Sequence, residues 1–156
     1  DAVTTIVNDA FEGDAEVKLV AQLRQQCAGI ISLVAEQQGQ IVGHILFSPA
    51  TLNNAPRYQL MALAPMAVSN VLQHQGIGSA LVRAGLERCR LSGADAVVVL
   101  GHPAYYPRFG FVPANQVNIL CPWPAPDDAF MVLPLKDKPI SGQNSKVMYH
   151  PLFSGL

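Results

Sequence analysis

Apolar residues recur along this chain at two spacings, one typical of helices and one of strands. The helical spacing of three and four residues covers 2–11, 14–27 and 77–91. Asp14 can cap the second of these helices, and Ser92-Gly93 can end the third. The residues expected to face inward on the second helix are Val17, Leu19, Val20 and Leu23.

Short apolar runs between turn residues predict the strands. The predicted strands cover 30–36, 41–52, 58–68, 96–100, 117–120 and 130–134. A hairpin turn with a positive φ at Gly39 joins the first two, a short helix covers 103–109, and Pro65 predicts an interruption of the third strand. The pattern predicts an α/β (α+β) fold, a mixed, mostly antiparallel sheet flanked by helices, in one domain over 1–156.

The composition narrows the class of protein. A net charge of −1 without a basic block argues against nucleic-acid binding, and no apolar run is long enough to cross a membrane. Three scattered cysteines, with no Cys-x-x-Cys pair, predict a reducing, cytoplasmic location and no metal site. Charged residues make up only 13% of the chain, which favours a shared apolar surface and a homodimer.

The most informative segment is 66–79, where a predicted strand leads through a polar connection into a glycine turn and a helix. The N–H groups at a helix N-terminus have no acceptor within the helix, and they attract anions. Gly76 and Gly78 lack a Cβ, so a phosphate can approach their backbone closely. The segment therefore predicts a phosphate-bearing ligand.

Three kinds of phosphate-binding loop could produce this pattern. A Walker loop requires Gly-Lys-Ser/Thr, but Ser79-Ala80 follows Gly78. A dinucleotide loop has a third glycine where Leu81 stands, and it turns directly after its strand, whereas seven residues, 69–75, intervene here. Only Asp95 would suit that kind of loop, as the acid that binds the ribose. The hexapeptide Gln73-His74-Gln75-Gly76-Ile77-Gly78 resembles the acyl-coenzyme A loop of the GNAT acyltransferases, Arg/Gln-x-x-Gly-x-Gly/Ala.

A second motif supports this resemblance. The segment Ala104-Tyr105-Tyr106-Pro107-Arg108-Phe109-Gly110-Phe111 is similar to the Tyr-x-x-x-Gly-Phe segment of the same family, and it follows a buried strand. The resemblance extends over 11–135 and includes a hairpin at 33–44. The family places a strand before its first helix; none is found here, so we expect it to be truncated or absent.

The resemblance implies an N-acetyltransferase that uses acetyl-CoA without a metal. Met66 N–H would bind the thioester carbonyl, the Val68 backbone would pair with pantetheine, and Tyr106 would be the general acid, with Tyr105 as the competing candidate. His74 stands where the family often has arginine, and Arg83 could approach the outer phosphate. The cofactor-binding residues implied by the resemblance are Met66, Val68, Gln73, His74, Gln75, Gly76, Ile77, Gly78 and Ser79.

The general base and the acceptor stay open. Segment 58–68 holds no carboxylate, so Glu36, His44, water or no base at all are the alternatives. The expected reaction is direct transfer to a primary amine of a small molecule or a protein through a ternary complex. The alternative is a catalytically silent acyl-CoA-binding sensor or partner module.

Overall fold

The computed structural model describes residues 3, 15–68 and 76–155 of the chain. The chain forms two compact units. The first comprises Asp1–Ser48, Ala64–Arg88 and His150–Leu156, and the second comprises Pro49–Leu63 and Cys89–Tyr149. A single domain over 1–156 stays a prediction.

The first unit contains helix α1 (Ala15–Gln26), strand β1 (Ile31–Gln37), most of β2 (Gln40–Leu52), the end of β3 (Leu60–Val68) and most of α2 (Ile77–Leu91). Its strands lie in the order β1-β2-β3, and a 3₁₀ helix, Pro151–Gly155, contacts α1. Its largest buried apolar side chains include Leu19, Val20, Leu23, Ile45, Leu46, Phe47, Val82 and Phe153. The inward face predicted for α1 is confirmed at Leu19, Val20 and Leu23.

Three other predictions for the N-terminal region fall largely outside the described residues. The helix at 2–11 is described only at Val3, which is helical and buried. The cap at Asp14 and the side chain of Val17 are not among the described parts of the chain.

The β1–β2 hairpin is confirmed. Gln38 and Gly39 both have positive φ, +51° and +77°, as a two-residue type I′ turn requires. The strands pair antiparallel, and the register shifts once: Ala35 pairs with Gly43 but Glu36 with Ile41, so Val42 is the extra residue of a bulge.

The second unit is built on strands in the order β5-β7-β4-β3-β2-β8-β6. Its further strands are β4 (Ala96–Leu100), β5 (Val112–Pro113), β6 (Ile119–Leu120), β7 (Phe130–Pro134) and β8 (Ser145–Met148). The pairs β4–β7, β5–β7 and β2–β8 are antiparallel, whereas β3–β4 and β6–β8 are parallel. The mixed, mostly antiparallel sheet with helices is therefore confirmed.

The core of the second unit lies on one face of these strands. It is formed by Ala50, Leu52, Ala55, Leu60, Ala62, Ala96, Val98, Ala114, Ile119, Phe130, Val132, Ile140 and Val147. Asp95 joins two strand ends, because its carboxylate accepts hydrogen bonds from Gln59 N–H at 2.7 Å and from Lys136 Nζ at 2.9 Å.

Several predicted elements differ from the observed ones. The interruption at Pro65 is wrong, because β3 is continuous from Leu60 to Val68. The β3–β4 ladder ends at the pair Ala62–Val98, so Pro65 withholds no hydrogen bond from it. Only Tyr106–Phe109 of the segment 103–109 is helical, and segment 117–120 contains the end of a 3₁₀ helix before β6 begins.

Candidate functional site

The glycine turn at the start of α2 holds a left-handed residue that caps the helix. Gly76 has φ +85°, a left-handed conformation, and its carbonyl accepts a hydrogen bond from Ala80 N at 3.0 Å, so it caps the helix. Among the described residues, no heavy atom other than those of its chain neighbours lies within 4 Å of where a Cβ would stand on Gly76. The N–H groups of Ile77 and Gly78 have no acceptor within the helix, which leaves an open backbone surface for a negatively charged group.

The other predicted cofactor residues lie around this turn in the sequence. Met66 and Val68 are half-buried near the end of β3, two residues apart, so they occupy equivalent positions along one face of the strand. Ser79 is half-buried in the first turn of α2, and Arg83 is exposed one turn later. Gln73, His74 and Gln75 lie outside the described residues.

Tyr106, in the second unit, begins the 3₁₀ helix Tyr106–Phe109 and is only 7% exposed. Its ring contacts three other aromatic rings: the centroids of Tyr105, Phe111 and Phe109 lie 5.0, 5.7 and 6.4 Å away. Burial, with a smaller contribution from the charge of Tyr105, raises the pKa of Tyr106 to about 12. The phenol therefore carries its proton throughout the neutral pH range.

Tyr105 has a different environment although it is adjacent in sequence. It is half-buried, and the Arg108 guanidinium lies 4.3 Å from its ring centroid. Arg108 Nε also donates to the Tyr105 carbonyl at 2.8 Å. The cation fixes Tyr105 near the surface, whereas Tyr106 is enclosed by aromatic rings.

Gly101 is a residue of this region that the sequence analysis missed. It follows β4, and a Cβ built on it would lie 2.5 Å from Cε2 of Tyr106. The only signal in the sequence is a glycine between a fully apolar strand and the tyrosine segment. A single glycine does not indicate which aromatic ring will pack against it.

The two candidate bases differ in exposure. Glu36 is exposed on β1. His44 is completely buried on β2, and its Nε2 lies 2.8 Å from Ser32 Oγ. Its Nδ1 has no hydrogen-bond partner within the described part of the chain. Burial, with a smaller contribution from Arg24, lowers the pKa of His44 from 6.5 to about 4, so the ring is neutral at pH 7.

Three further observations concern ligands and membranes. Within residues 3, 15–68 and 76–155, no group of three or more His, Cys, Asp or Glu side chains could hold a metal ion. No helix of the same described part is long and apolar enough to cross a membrane. Asp95, the one candidate for a dinucleotide ribose, is already held by Gln59 and Lys136.

Comparison with known proteins identifies the family. The chain is 37% identical to the uncharacterized N-acetyltransferase YhbS of Escherichia coli K12 over 153 residues, which is 97% of this chain and 91% of that protein. It is similar to the crystal structure of Escherichia coli YhbS in complex with CoA, with a TM-score of 0.87 and 36% identity, covering 98% of this chain and 85% of the other. A GNAT family acetyltransferase from Brucella melitensis in complex with acetyl-CoA has a TM-score of 0.77 and 30% identity, covering 97% and 90%. Residues 1–111 match the profile of the acetyltransferase (GNAT) family, and the chain belongs to that family.

Proposed function

We propose that this protein transfers an acetyl group from acetyl-CoA to a primary amine of a small molecule or a protein. The observation that carries the proposal is the open, left-handed Gly76 at the N-terminus of α2. The CoA and acetyl-CoA bound by the similar YhbS and Brucella melitensis structures support the choice of ligand.

The first unit would hold the thioester. The pyrophosphate of acetyl-CoA would lie against the N–H groups of Ile77 and Gly78, where backbone donors and the helix dipole favour negative charge. On the family resemblance, the loop 73–75 and Ser79 extend this cradle, the Val68 backbone pairs with pantetheine, and Met66 N–H binds the thioester carbonyl. A donor placed there stabilises the negative charge that develops on that oxygen.

The transfer itself needs two proton movements. The amine nitrogen attacks the thioester carbonyl carbon, the bond to sulfur breaks, and the acetyl group becomes an amide. The departing thiolate takes a proton from the Tyr106 hydroxyl, and the amine loses one proton to water. Water then returns a proton to the Tyr106 phenolate, so that overall one proton passes from the amine nitrogen to the sulfur. The raised pKa of Tyr106 keeps it protonated at every physiological pH, although it also makes the phenol a weaker acid than an exposed tyrosine.

Neither candidate side chain suits the role of a strong base. His44 would have to become a cation in a fully buried position close to Arg24, which is why its pKa is low. Glu36 is exposed at the bulge of the β1–β2 hairpin. We propose that the acceptor amine reacts in its neutral form and that water takes the proton.

The test is acetyl transfer from acetyl-CoA across a panel of primary amines. Loss of the thioester is followed by its own absorbance, because the half-buried thiols of Cys27 and Cys121 would add to the signal of a thiol reagent. We expect amine-dependent thioester loss, and calorimetry should show binding of acetyl-CoA but not of NAD.

Two results would contradict parts of the proposal. Binding of acetyl-CoA without transfer to any amine would favour a silent acyl-CoA-binding module. Binding of NAD without binding of coenzyme A would contradict the choice of acetyl-CoA as the ligand.

A cytoplasmic location and a homodimer stay predictions. Size-exclusion chromatography with light scattering tests the homodimer.

A further inference from the structure

Gly101 lies where β4 ends and the tyrosine segment begins. Its N–H donates to the carbonyl of Ala129 at 2.9 Å, directly after the last β4–β7 pair, Leu100–Phe130. The next residue, His102, accepts the N–H of Tyr105 at 3.1 Å through its carbonyl. Gly101 is therefore fixed on both sides by backbone hydrogen bonds of the second unit.

The absence of a side chain at this position leaves room for the Tyr106 ring. A Cβ on Gly101 would lie 2.5 Å from Cε2, 3.2 Å from Cδ2 and 3.5 Å from Cζ, the carbon that carries the hydroxyl. The ring occupies the space that any other residue would fill. Tyr105 and Phe111 pack edge-to-face against the same ring, with interplanar angles of 84° and 74°.

We propose that Gly101 is a positioning residue that sets where the Tyr106 hydroxyl lies. The proposal rests on the proposed role of Tyr106 as the general acid. Alanine at 101 would force the ring edge to move by about 1 Å to reach ordinary contact distance. Because Tyr105 and Phe111 pack against the same ring, it cannot simply slide away in its own plane. The ring would have to tilt or turn, and its hydroxyl would then leave its present position. Misplacement of a catalytic group by about 1 Å can cost roughly 100-fold in rate.

The first test compares Gly101→Ala, Tyr106→Phe and the double variant in the acetyl-transfer assay. We expect Gly101→Ala to lower kcat by about 10- to 100-fold, with little change in KM for acetyl-CoA. On the Tyr106→Phe background the same substitution should cost almost nothing, because the hydroxyl is already gone. An equal loss on both backgrounds would overturn the proposal, and so would full activity of Gly101→Ala beside an impaired Tyr106→Phe.

A second measurement requires no acceptor. The chain has four tyrosines, so protein labelled with 3-fluorotyrosine should give four fluorine resonances, and Tyr106→Phe identifies the one from Tyr106. Gly101→Ala should shift that resonance, whereas His102→Ala, which alters the exposed neighbour, should leave it in place. An unshifted Tyr106 resonance would overturn the proposal.

The two measurements separate this proposal from the proposed function. A shifted resonance together with a fully active Tyr106→Phe would refute the acid role and still support ring placement by Gly101. If Gly101→Ala does not fold, the comparison moves to a Tyr106→Leu background, where the ring that clashes is absent. The substitution should then be tolerated. Unfolding of both variants would show that Gly101 is required for another reason and would overturn the proposal.

Discussion

Acid should destabilise this protein through one buried imidazole, that of His44. Burial, reinforced by Arg24, lowers its pKa in the folded protein from 6.5 to about 4. In the unfolded chain the ring is exposed to water and titrates near its ordinary value. Between these two pKa values the unfolded chain binds a proton that the folded protein does not.

The sign and size of the effect follow from this difference. Well above pH 6.5 the imidazole is neutral in both states, so it adds no pH dependence to the free energy of unfolding. As the pH falls from 6.5 towards 4, stability decreases by about 1.4 kcal/mol per pH unit, and the loss ends once the folded state is protonated as well. The total is about 3 kcal/mol, a large share of the roughly 5–15 kcal/mol that stabilises a typical domain.

Urea unfolding of the wild type and His44→Gln at pH about 7 and about 4.5 measures this loss. Glutamine keeps a polar group that can bond to Ser32 but does not titrate. With an m-value near 2 kcal/mol per M, the wild-type midpoint should fall by about 1.5 M more than that of the variant. His102→Gln, which removes an exposed imidazole, is the control and should behave like the wild type.

An equal loss of stability in acid for His44→Gln and the wild type would refute this role of His44. The pH dependence would then come from carboxylates that both proteins share. A uniform loss of stability at both pH values would not count against it, because that would reflect packing rather than titration.

Three further substitutions test the site and its framework. Gly76→Val should abolish coenzyme A binding in calorimetry while the protein stays folded; Gly39→Val, at an equally open glycine with φ +77°, is the matched control and should bind normally. Tyr106→Phe should lower kcat by about 10²–10⁴-fold with little change in acetyl-CoA affinity, and Tyr105→Phe should stay near wild type; the reverse result would make Tyr105 the acid. Gly85→Ala should cost about 1–3 kcal/mol in urea unfolding, because its Cβ would overlap the Phe47 ring, and an unchanged midpoint would contradict that packing.

The sequence predicted best the elements that are long enough to show a period. The predicted bounds of helix α2 match the observed ones, because its 15 residues carry a clear apolar repeat and Gly93, with a φ of +89°, follows shortly after its last residue, Leu91. Strand β6 lies within the predicted strand 117–120. Strand β5 has two residues and β8 has four, so neither shows enough alternation to be distinguished from a loop. Val112–Pro113 also contains a proline, which argues against a strand.

The candidate site was predicted unevenly for a similar reason. The glycine turn is a local feature, so its positive φ at Gly76 could be expected from the sequence around it. The contact between Gly101 and Tyr106 depends on how the chain turns after β4, and no local pattern encodes that. His44 lies on a strand whose residues 42–48 are all buried, so buried and exposed positions do not alternate there. A sequence pattern based on alternation therefore cannot predict that this polar side chain is buried.

Each of the two units is built from separate segments of the chain, and this limits how the protein can be divided into fragments. The first unit is drawn from three stretches of chain and the second from two, and strands β2 and β3 each begin in one unit and end in the other. No single proteolytic cut can release either unit whole. No single truncation can express one without the other, so fragments made to study cofactor binding in isolation would lack half of a strand. Changes that alter this protein must therefore be made residue by residue, in an uninterrupted chain.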